Sequence, residues 1–513
     1  MNRSKALSFF PILLLAALSL TSCSGLPKTC TGTCVIGGNA TVSFTLVADT
    51  LPANPSILSF KVSIVGIALT PTTGAAVTLT PAAPVVDLMR LQSDTAFLGA
   101  LTTVPSGSYT VQVTLTSQEI TFLNDTTSSI TANGTACAVN AVCTATLAAA
   151  GTPSVASFTF TATSGGKQGI ELDFNLKNAI SLTNGTLSVN FNPATPNPGV
   201  FTAFTLPRTN TLGANQLELI EDFTGVVSIT NQSVTLTAAT AAGRGSITAL
   251  ATSGTIYDHD PSGTLCPTPT TQLTSCVSNN QFASMDVILK SDGTFAIQEI
   301  EPLLATLQDT VEGIVSSINP SNQTQFTIVV TDIVPLAQSS LIGSLKTGDQ
   351  LTVNLSNPSP FLVDTKGLNV SSVAPATFAF FSGATNTGAL HLGQVVTVHV
   401  IAPFTAAAGT TIASAATDKV TLRWSRFTAS PTQAGTQSLV VNGLPSIFGS
   451  TVTSAGVQLF PGTQGQQGVT NFDGVADGSS VVTGKQAFFR ALFIQNPGNS
   501  VAIPFFAAKV RQH

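Results

Sequence analysis

The chain has 513 residues and a formal net charge of −5, and only 8% of its residues are charged, against about 25% in an ordinary globular protein. No run of basic residues occurs, which disfavours nucleic-acid binding, because that function needs a clustered cationic surface. Threonine, serine, asparagine and glutamine supply the polar positions instead, and 41 glycines and 28 prolines interrupt the chain. This composition is typical of an all-β protein with several small domains.

The first residues have the layout of a secretory signal. Arg3 and Lys5 form a short basic region, and an uncharged apolar run follows from Ala6 to Leu20. This run is shorter than the roughly 20 apolar residues that a transmembrane helix needs, and Pro11 lies near its start. The pattern predicts a signal peptide over residues 1–22.

The segment Leu20-Thr21-Ser22-Cys23 resembles the lipobox of bacterial lipoproteins. The resemblance implies that the Cys23 thiol is lipidated and that cleavage occurs just before it. Each buried methylene adds about 0.8 kcal/mol to membrane binding, so two or more acyl chains form a stable anchor. Ser24 stands where an Asp would favour inner-membrane retention in Gram-negative lipoproteins, so the outer membrane is the expected location. The open alternative is an ordinary secretory signal followed by an unmodified cysteine.

The other six cysteines fall into three close pairs. These are Cys30 with Cys34, Cys137 with Cys143, and Cys266 with Cys276. In an exported protein such pairs predict local disulfides that each close a small loop. A metal site is the alternative, although none of the spacings has the two-residue gap of a zinc knuckle and no histidine lies near the first two pairs.

Alternation of apolar and polar residues is the dominant periodicity after the tether at residues 23–38. The run from Tyr109 to Leu115 alternates in this way, as do the runs from Leu351 to Leu355 and from Val396 to Val400. This period predicts half-buried β-strands. Helical spacing is scarce, and it predicts helices only at Val86 to Leu98 and at Leu212 to Asp222.

Residues 39–198 resemble a family found in bacterial envelope lipoproteins, the domain of unknown function 4382. The resemblance implies a transthyretin- or immunoglobulin-like β-sandwich and transfers no active site. In the segment Pro105 to Thr110, Pro and Gly predict a tight turn, after which Tyr109 starts an inward-facing strand. The segments that carry the resemblance are Val42 to Val47, Phe60 to Ile64, Val85 to Leu88, Val104 to Thr110 and Ile170 to Phe174.

The remainder of the chain contains a repeated pattern. The segment Phe223 to Ile229 is echoed by Val311 to Ile318, and each is followed by a second alternating strand. These segments resemble another uncharacterised family, the domain of unknown function 5666, which implies small β-barrels with an oligonucleotide/oligosaccharide-binding-like (OB-like) topology. The spacing predicts barrels at residues 207–306, 307–429 and 430–513, although the third lacks a clear Gly-Val-x-Ser-Ile start before Val440.

The sequence contains no motif of the common enzyme classes, neither a Gly-x-Ser-x-Gly elbow nor a His-Glu-x-x-His helix nor a phosphate-binding loop. Three short motifs match those of penicillin-binding proteins and related β-lactamases: Ser164 to Lys167, Ser188 to Asn190 and Lys346 to Gly348. Their chemistry requires the serine and lysine one helical turn apart, and Gly165-Gly166 disfavours a helix. A serine acyl-enzyme hydrolase is therefore the remote alternative.

The segment Asp258-His259-Asp260 is the densest group of metal-capable side chains. It can be interpreted as a divalent cation site or as a loop whose aspartates cap turns, and the second interpretation is favoured. Asp473 to Gly478 suggests a calcium turn more weakly, and Glu299 and Glu301 have the spacing of two carboxylates on one side of a strand. No cofactor, no metal and no catalytic residue is predicted.

The sequence thus predicts a lipid-anchored protein of the bacterial cell envelope with a non-enzymatic binding, adhesion or scaffolding role. Its expected partners are the membrane, through the lipid on Cys23, and a glycan or other envelope proteins. A carbohydrate-binding or carbohydrate-processing surface protein is the alternative, motivated by the barrel resemblance.

Overall fold

The computed structural model describes residues 38–512, except for residues 50, 53, 82–84, 148–153, 192–198, 209–211, 238–243, 259–265, 267–271, 303–308, 335–339, 366–367, 450–453, 465–467 and 496–503. The architecture is all-β, as predicted: a β-sandwich is followed by three small β-barrels. Within the described residues, no helix is long and apolar enough to cross a bilayer.

The sandwich consists of two facing sheets and a small third sheet. Its strands are β1 (Ala40–Asp49), β2 (Ser56–Pro71), β3 (Val77–Leu79), β4 (Val85–Asp87), β5 (Ala96–Val104), β6 (Gly107–Leu123), β7 (Ile130–Ala132), β8 (Thr135–Cys137), β9 (Val142–Leu147), β10 (Ser154–Ala162), β11 (Lys167–Asn175), β12 (Ile180–Thr183), β13 (Thr186–Val189) and β14 (Phe201–Leu206). The sheet orders are β14-β11-β1-β5, then β10-β6-β2-β3 with β4 on β2 and β9 on β6, and finally β12-β13-β7-β8. Because β14 pairs with β11, the sandwich extends to Leu206, beyond the predicted end at Pro198.

The alternation in β6 positions the sandwich core. Tyr109, Val111 and Val113 are at most 4% exposed, whereas the residues between them are half-buried. The Tyr109 hydroxyl donates a hydrogen bond to the Pro105 carbonyl, 2.7 Å away, and so ties the start of the strand to the preceding turn. The predicted turn and inward-facing strand are therefore confirmed.

The three barrels share one topology. Their strands are β15 (Gln216–Thr230), β16 (Ser233–Thr237), β17 (Ser246–Leu250), β18 (Ile256–Tyr257), β19 (Phe282–Lys290) and β20 (Phe295–Pro302) in barrel 1; β21 (Thr310–Ile318), β22 (Gln325–Val334), β23 (Gln350–Leu355), β24 (Phe361–Val363), β25 (Val395–Thr405) and β26 (Ala413–Arg423) in barrel 2; and β27 (Ser425–Gln433), β28 (Ser438–Asn442), β29 (Ser454–Gln458), β30 (Asn471–Asp473), β31 (Ala487–Phe493) and β32 (Phe505–Arg511) in barrel 3. In each barrel the third strand pairs in parallel with the sixth and closes the sheet. This strand order is OB-like.

The repeated glycine has a steric role in barrels 1 and 2. A Cβ atom on Gly225 would lie 2.6 Å from a backbone atom of Thr237, and one on Gly313 would lie 2.7 Å from the Val329 carbonyl oxygen. The second strand therefore crosses the first too closely for a side chain. Barrel 3 lacks this motif yet forms the same barrel, and its first strand begins at Ser425, five residues before the predicted boundary.

Both helix predictions are wrong. Residues 86–98 form the end of β4, a one-turn 3₁₀ helix at Arg90–Gln92, and the start of β5, and most of residues 212–222 belongs to β15. In β15 the buried apolar residues Leu217, Ile220 and Phe223 are three apart, because register shifts in its pairing with β19 add extra residues. The described α-helices are instead α1 (Leu176–Ala179), α2 (Leu273–Cys276) and α3 (Pro375–Ser382).

The hydrophobic cores continue across domain borders. The core of barrel 2 includes Leu492 and Phe506 of barrel 3, and the core of barrel 3 includes Leu58 and Leu123 of the sandwich. Trp424 lies between the last strand of barrel 2 and the first strand of barrel 3 and is 2% exposed. The four domains therefore pack as one cluster.

Candidate functional site

Several charged side chains of this charge-poor chain meet where the four domains join. The segment at residues 90–95 of the sandwich, between β4 and β5, contacts all three barrels there. Asp332 of barrel 2 accepts a hydrogen bond from Arg90 at 2.6 Å. Arg244 of barrel 1 donates to the Thr95 carbonyl at 3.2 Å, and Arg426 of barrel 3 donates to Asp94 at 3.0 Å.

Asp94 is fully enclosed by these cations. Burial by itself would raise the pKa of its carboxyl, but Arg426, Arg244 and Arg90 outweigh that effect and hold the pKa well below its usual range. The pKa of Arg244 is lowered as well, to about 10, because burial and the neighbouring Arg90 disfavour its charge. The segment at residues 90–95 is therefore a charged centre held by counterions from several domains.

Barrel 3 supplies further contacts to the same segment. Arg511 is 1% exposed, and its guanidinium donates to the carbonyls of Gln92 and Ser93 at 3.4 and 3.3 Å. The Thr428 hydroxyl donates to the Gln92 side-chain oxygen at 3.0 Å. These bonds join barrel 3 to the sandwich in addition to the shared apolar core.

A second group of buried ion pairs joins barrels 1 and 3. Arg490 of barrel 3 pairs with Asp222 and lies 3.1 Å from Glu221, and Lys509 lies 2.5 Å from the other Glu221 oxygen. Burial opposes ionisation of Glu221, but Lys509 and Arg490 together lower its pKa. Glu221 therefore carries its charge at neutral pH and binds the two barrels together.

An open cleft of about 260 Å³ lies beside this group, between barrels 1 and 3. Barrel 1 forms one wall with β15, β19 and β20, and barrel 3 forms the other with β30, β32 and the chain before β30. The wall combines carboxylates, side-chain amides and one ammonium with an apolar strip. Its described residues are Leu212, Gln216, Glu218, Leu219, Glu221, Ile288, Gln298, Gln464, Asn471, Phe472, Asp473 and Lys509.

Intramolecular hydrogen bonds hold the amides of the cleft in place. Gln464 accepts a bond from the Phe472 amide at 2.7 Å and donates to the Thr470 carbonyl at 3.2 Å. Asn471 donates to Glu221 at 3.2 Å. The cleft is thus largely pre-formed, which reduces the ordering that a ligand would have to impose.

Glu218 is the exception in this cleft. Its side chain lies on β15 and is 7% exposed. No described residue donates a hydrogen bond to its carboxyl group or forms an ion pair with it. Burial, together with the nearby carboxylates Glu171 and Asp473, raises its pKa well above the ordinary value, although Lys509 and Arg511 act in the opposite direction. A buried carboxyl left without a partner in a cleft is a candidate ligand-binding group.

Two other cavities are less suited to a polar ligand. A groove along β14 is lined by Phe158, Phe204 and Arg208, but Arg208 already stacks on the Phe204 ring at 3.8 Å and pairs with Glu171. A pocket of about 60 Å³ lies where the sandwich meets barrels 2 and 3, with mainly apolar walls that include Ile57 and Phe448. The cleft between barrels 1 and 3 is therefore the best candidate site.

The structure describes two of the three predicted cysteine pairs. Cys137 and Cys143 lie at disulfide distance, with Cα atoms 5.9 Å apart. Cys266 and Cys276 do so as well, with Cα atoms 4.1 Å apart. Cys23, Cys30 and Cys34 lie outside the described residues, so the lipidation and the first disulfide stay predictions.

The three short serine and lysine motifs lie on separate elements. Ser164 is in the turn before β11 and accepts a hydrogen bond from the Gly38 amide at 2.7 Å. Lys167 begins strand β11, so the helical turn that the acyl-enzyme chemistry needs does not form there. Thr347, in barrel 2, accepts a hydrogen bond from Lys61 of the sandwich at 2.5 Å through its carbonyl. This last motif therefore serves as a domain contact.

Of the suspected cation sites, the structure describes Asp258 and the segment from Asp473 to Gly478. Asp258 is 4% exposed and its backbone amide donates to Ile300, whereas His259 and Asp260 lie outside the described residues. Asp473 pairs with Arg511 at 3.0 Å, and Asp477 caps a one-turn helix. No group of three metal-capable side chains occurs within the part of the chain that the structure describes.

Of the residues that line the cleft, Asp473 is a candidate ligand in the sequence, as part of a weak calcium turn, whereas Glu218 and Glu221 are not. Glu218, Glu221 and Asp222 place three carboxylates within five residues of a chain in which charges are rare, and that density was the available signal. The helix predicted for this segment obscured it. Lys509 and Asp473 lie far along the chain, and only the packing of barrel 3 on barrel 1 brings them to the same cleft.

Comparison with known proteins gives no relative: no family model, no curated protein and no solved structure matches this chain.

Proposed function

We propose that this chain is a lipid-anchored protein of the bacterial cell envelope with a non-enzymatic binding role, and that its ligand enters the cleft between barrels 1 and 3. The observation that carries the binding role is a pre-formed cleft with the unpartnered Glu218 in its wall, inside a body whose domains are joined by buried ion pairs. Rigid walls favour affinity, because less freedom is lost on binding. The described lining contains no serine, cysteine or histidine, which supports binding rather than acyl transfer.

The anchoring part of the proposal rests on the segment from Leu20 to Cys23 and on the resemblance to envelope lipoproteins. The test is to express the full chain with its own signal and to determine the mass of the N-terminal peptide. We expect acyl chains on Cys23 and recovery in the membrane fraction. A Cys23→Ala variant is the matched control and should lose both properties. A wild-type mature chain that begins elsewhere, or that carries no acyl chain, would contradict the anchor.

A carbohydrate ligand is the second candidate function. It is favoured by the side-chain amides of the cleft, Gln216, Gln298, Gln464 and Asn471, since amides and carboxylates are suited to hydrogen-bonding sugar hydroxyls. A glycan array probed with the mature chain tests it, with a Gln298→Ala variant as comparison. Binding that this variant loses would support a sugar in the cleft, and an array without signal would count against it.

A further inference from the structure

We propose that the cleft between barrels 1 and 3 binds a small aliphatic amine, whose ammonium group pairs with the carboxylate of Glu218 and whose methylene groups lie on the apolar strip of the wall. This inference rests on the proposed binding function and names its ligand class.

The wall of the cleft carries more carboxylates than cations. Three carboxylates and one ammonium line the cleft. Glu221 is matched by Lys509 and Arg490, and Asp473 is matched by Arg511. Of the three lining carboxylates, Glu218 alone has no counterion among the described residues. A cation from outside would supply the missing charge.

The surroundings of Glu218 also favour a cation over other ligand classes. An anion would lie against three carboxylates, and like charges at short distance repel strongly. A bare metal ion needs several oxygen, nitrogen or sulfur ligands in a fixed geometry, and the described residues hold no group of three histidine, cysteine, aspartate or glutamate side chains placed to bind one. A neutral polyol could hydrogen-bond to a protonated Glu218 but would bring no compensating charge.

The shape of the cleft narrows the class of cation. Leu212, Leu219 and Ile288 provide the apolar strip, which matches an alkyl chain better than a bare ammonium ion, because burying methylene groups is favourable. The volume of about 260 Å³ suits a ligand of a few to about a dozen heavy atoms. A diamine or an amino sugar has the required combination of a charged group and a compact body.

Binding of a cation at this position is linked to proton release. In the free protein, burial and the carboxylates of Glu171 on β11 and Asp473 on β30 disfavour the charged form of Glu218. Lys509 and Arg511 on β32 favour the charged form, but the net effect is a raised pKa of Glu218. A cation stabilises the ionised form, so Glu218 gives up its proton when the amine binds. At pH values below the pKa of the free site, each pH unit should therefore increase the affinity about tenfold.

The test is calorimetric titration of the mature full chain with putrescine and spermidine from about pH 5 to about pH 8, where these amines stay protonated, and with glucosamine below about pH 7, where its less basic amine is still protonated. Butanediol is the neutral analogue of putrescine, and glucosamine with glucose forms a second matched pair. We expect the amines to bind at least about tenfold more tightly than their neutral analogues, with an affinity that rises with pH. The two pairs also distinguish a polyamine from an amino sugar as the source of the ammonium group.

Glu218→Gln tests the assigned residue, because it keeps the shape and removes the charge. We expect it to weaken amine binding about tenfold or more and to abolish the pH dependence. Glu119→Gln is the matched control, since Glu119 pairs with Lys61 on the sandwich, away from the cleft. Fluorescence of Trp424 verifies that both variants are folded.

The inference is overturned if putrescine and butanediol bind alike, if Glu218→Gln keeps the affinity for amines, or if no amine binds. If glucose binds, Gln298→Ala abolishes that binding and no amine binds, the amine proposal is wrong but the cleft is still a binding site. The lipid anchor is decided separately by the mass of the Cys23 peptide.

Discussion

Removal of the Arg490 guanidinium should loosen the junction between barrels 1 and 3. The side chain is 4% exposed and pairs with Glu221 and Asp222 of barrel 1. Arg490→Met keeps much of the length and the apolar stem but removes the charge. Two carboxylates then lose a counterion in an environment from which water is largely excluded.

The expected loss follows from which partners remain. Breaking one member of a buried ion pair costs about 3–5 kcal/mol, because the other charge stays buried and uncompensated. Glu221 keeps Lys509 at 2.5 Å, so the cost falls mainly on Asp222, and we expect about 3 kcal/mol of lost stability. Asp222→Asn in the Arg490→Met background should recover a large part of it, because the carboxylate that has lost this counterion is removed.

Urea unfolding followed by Trp424 fluorescence measures this effect. Trp424 is the single tryptophan of the chain and is buried where barrels 2 and 3 join, so its fluorescence reports on the unfolding of these two barrels. Lys177→Met serves as the control, because it removes an exposed cation on α1. A free energy of unfolding for Arg490→Met within about 0.5 kcal/mol of the wild type would contradict the role of this ion pair. So would a double variant whose loss of stability equals the sum of the losses of the two single variants.

Three further changes test other parts of the structure. Glu218→Gln should leave the free energy of unfolding unchanged at about pH 4 and raise it at neutral pH. A carboxyl whose pKa is raised in the folded protein contributes its full stability at pH values below its ordinary pKa, and that contribution is lost as the pH rises. Unfolding curves at the two pH values test this. Gly313→Ala should destabilise barrel 2 by about 1–3 kcal/mol, since its Cβ would meet the Val329 carbonyl oxygen, and an unchanged midpoint would contradict the steric role. Tyr109→Phe removes the hydrogen bond to Pro105 and should cost about 1 kcal/mol, measured by the same denaturation.

The sequence alone determined the strands in which apolar and polar residues alternate along the chain. Val353 and Leu351 of β23 are fully buried while Thr352 between them is only half-buried, and a period of two residues follows directly from the pleat of a strand. The repeated segments at Phe223 and Val311 likewise marked the first strands of barrels 1 and 2. Each of these features depends on neighbours in sequence, so no tertiary information was needed to predict them.

Tertiary packing decided the features that local periodicity misrepresents. The buried apolar residues Leu217, Ile220 and Phe223 of β15 are three apart because its pairing with β19 contains register shifts. A bulge is defined by the partner strand rather than by the strand itself. Barrel 3 forms without the repeated glycine motif and closes by the same parallel pairing as the other two barrels, here between β29 and β32. Neither partner can be identified from one segment alone.

The charged junction and the cleft also belong to the tertiary structure. Arg90 and Asp332 are 242 positions apart, and Arg426 and Asp94 are 332 apart, so their pairing exists only after four domains have packed. The sequence determined that charges are few and that Glu218, Glu221 and Asp222 are close together. Which of them is paired, and which is left to face the cleft, was decided by the position of barrel 3, because a charge in a low-dielectric interior is stabilised only by the groups that surround it in space.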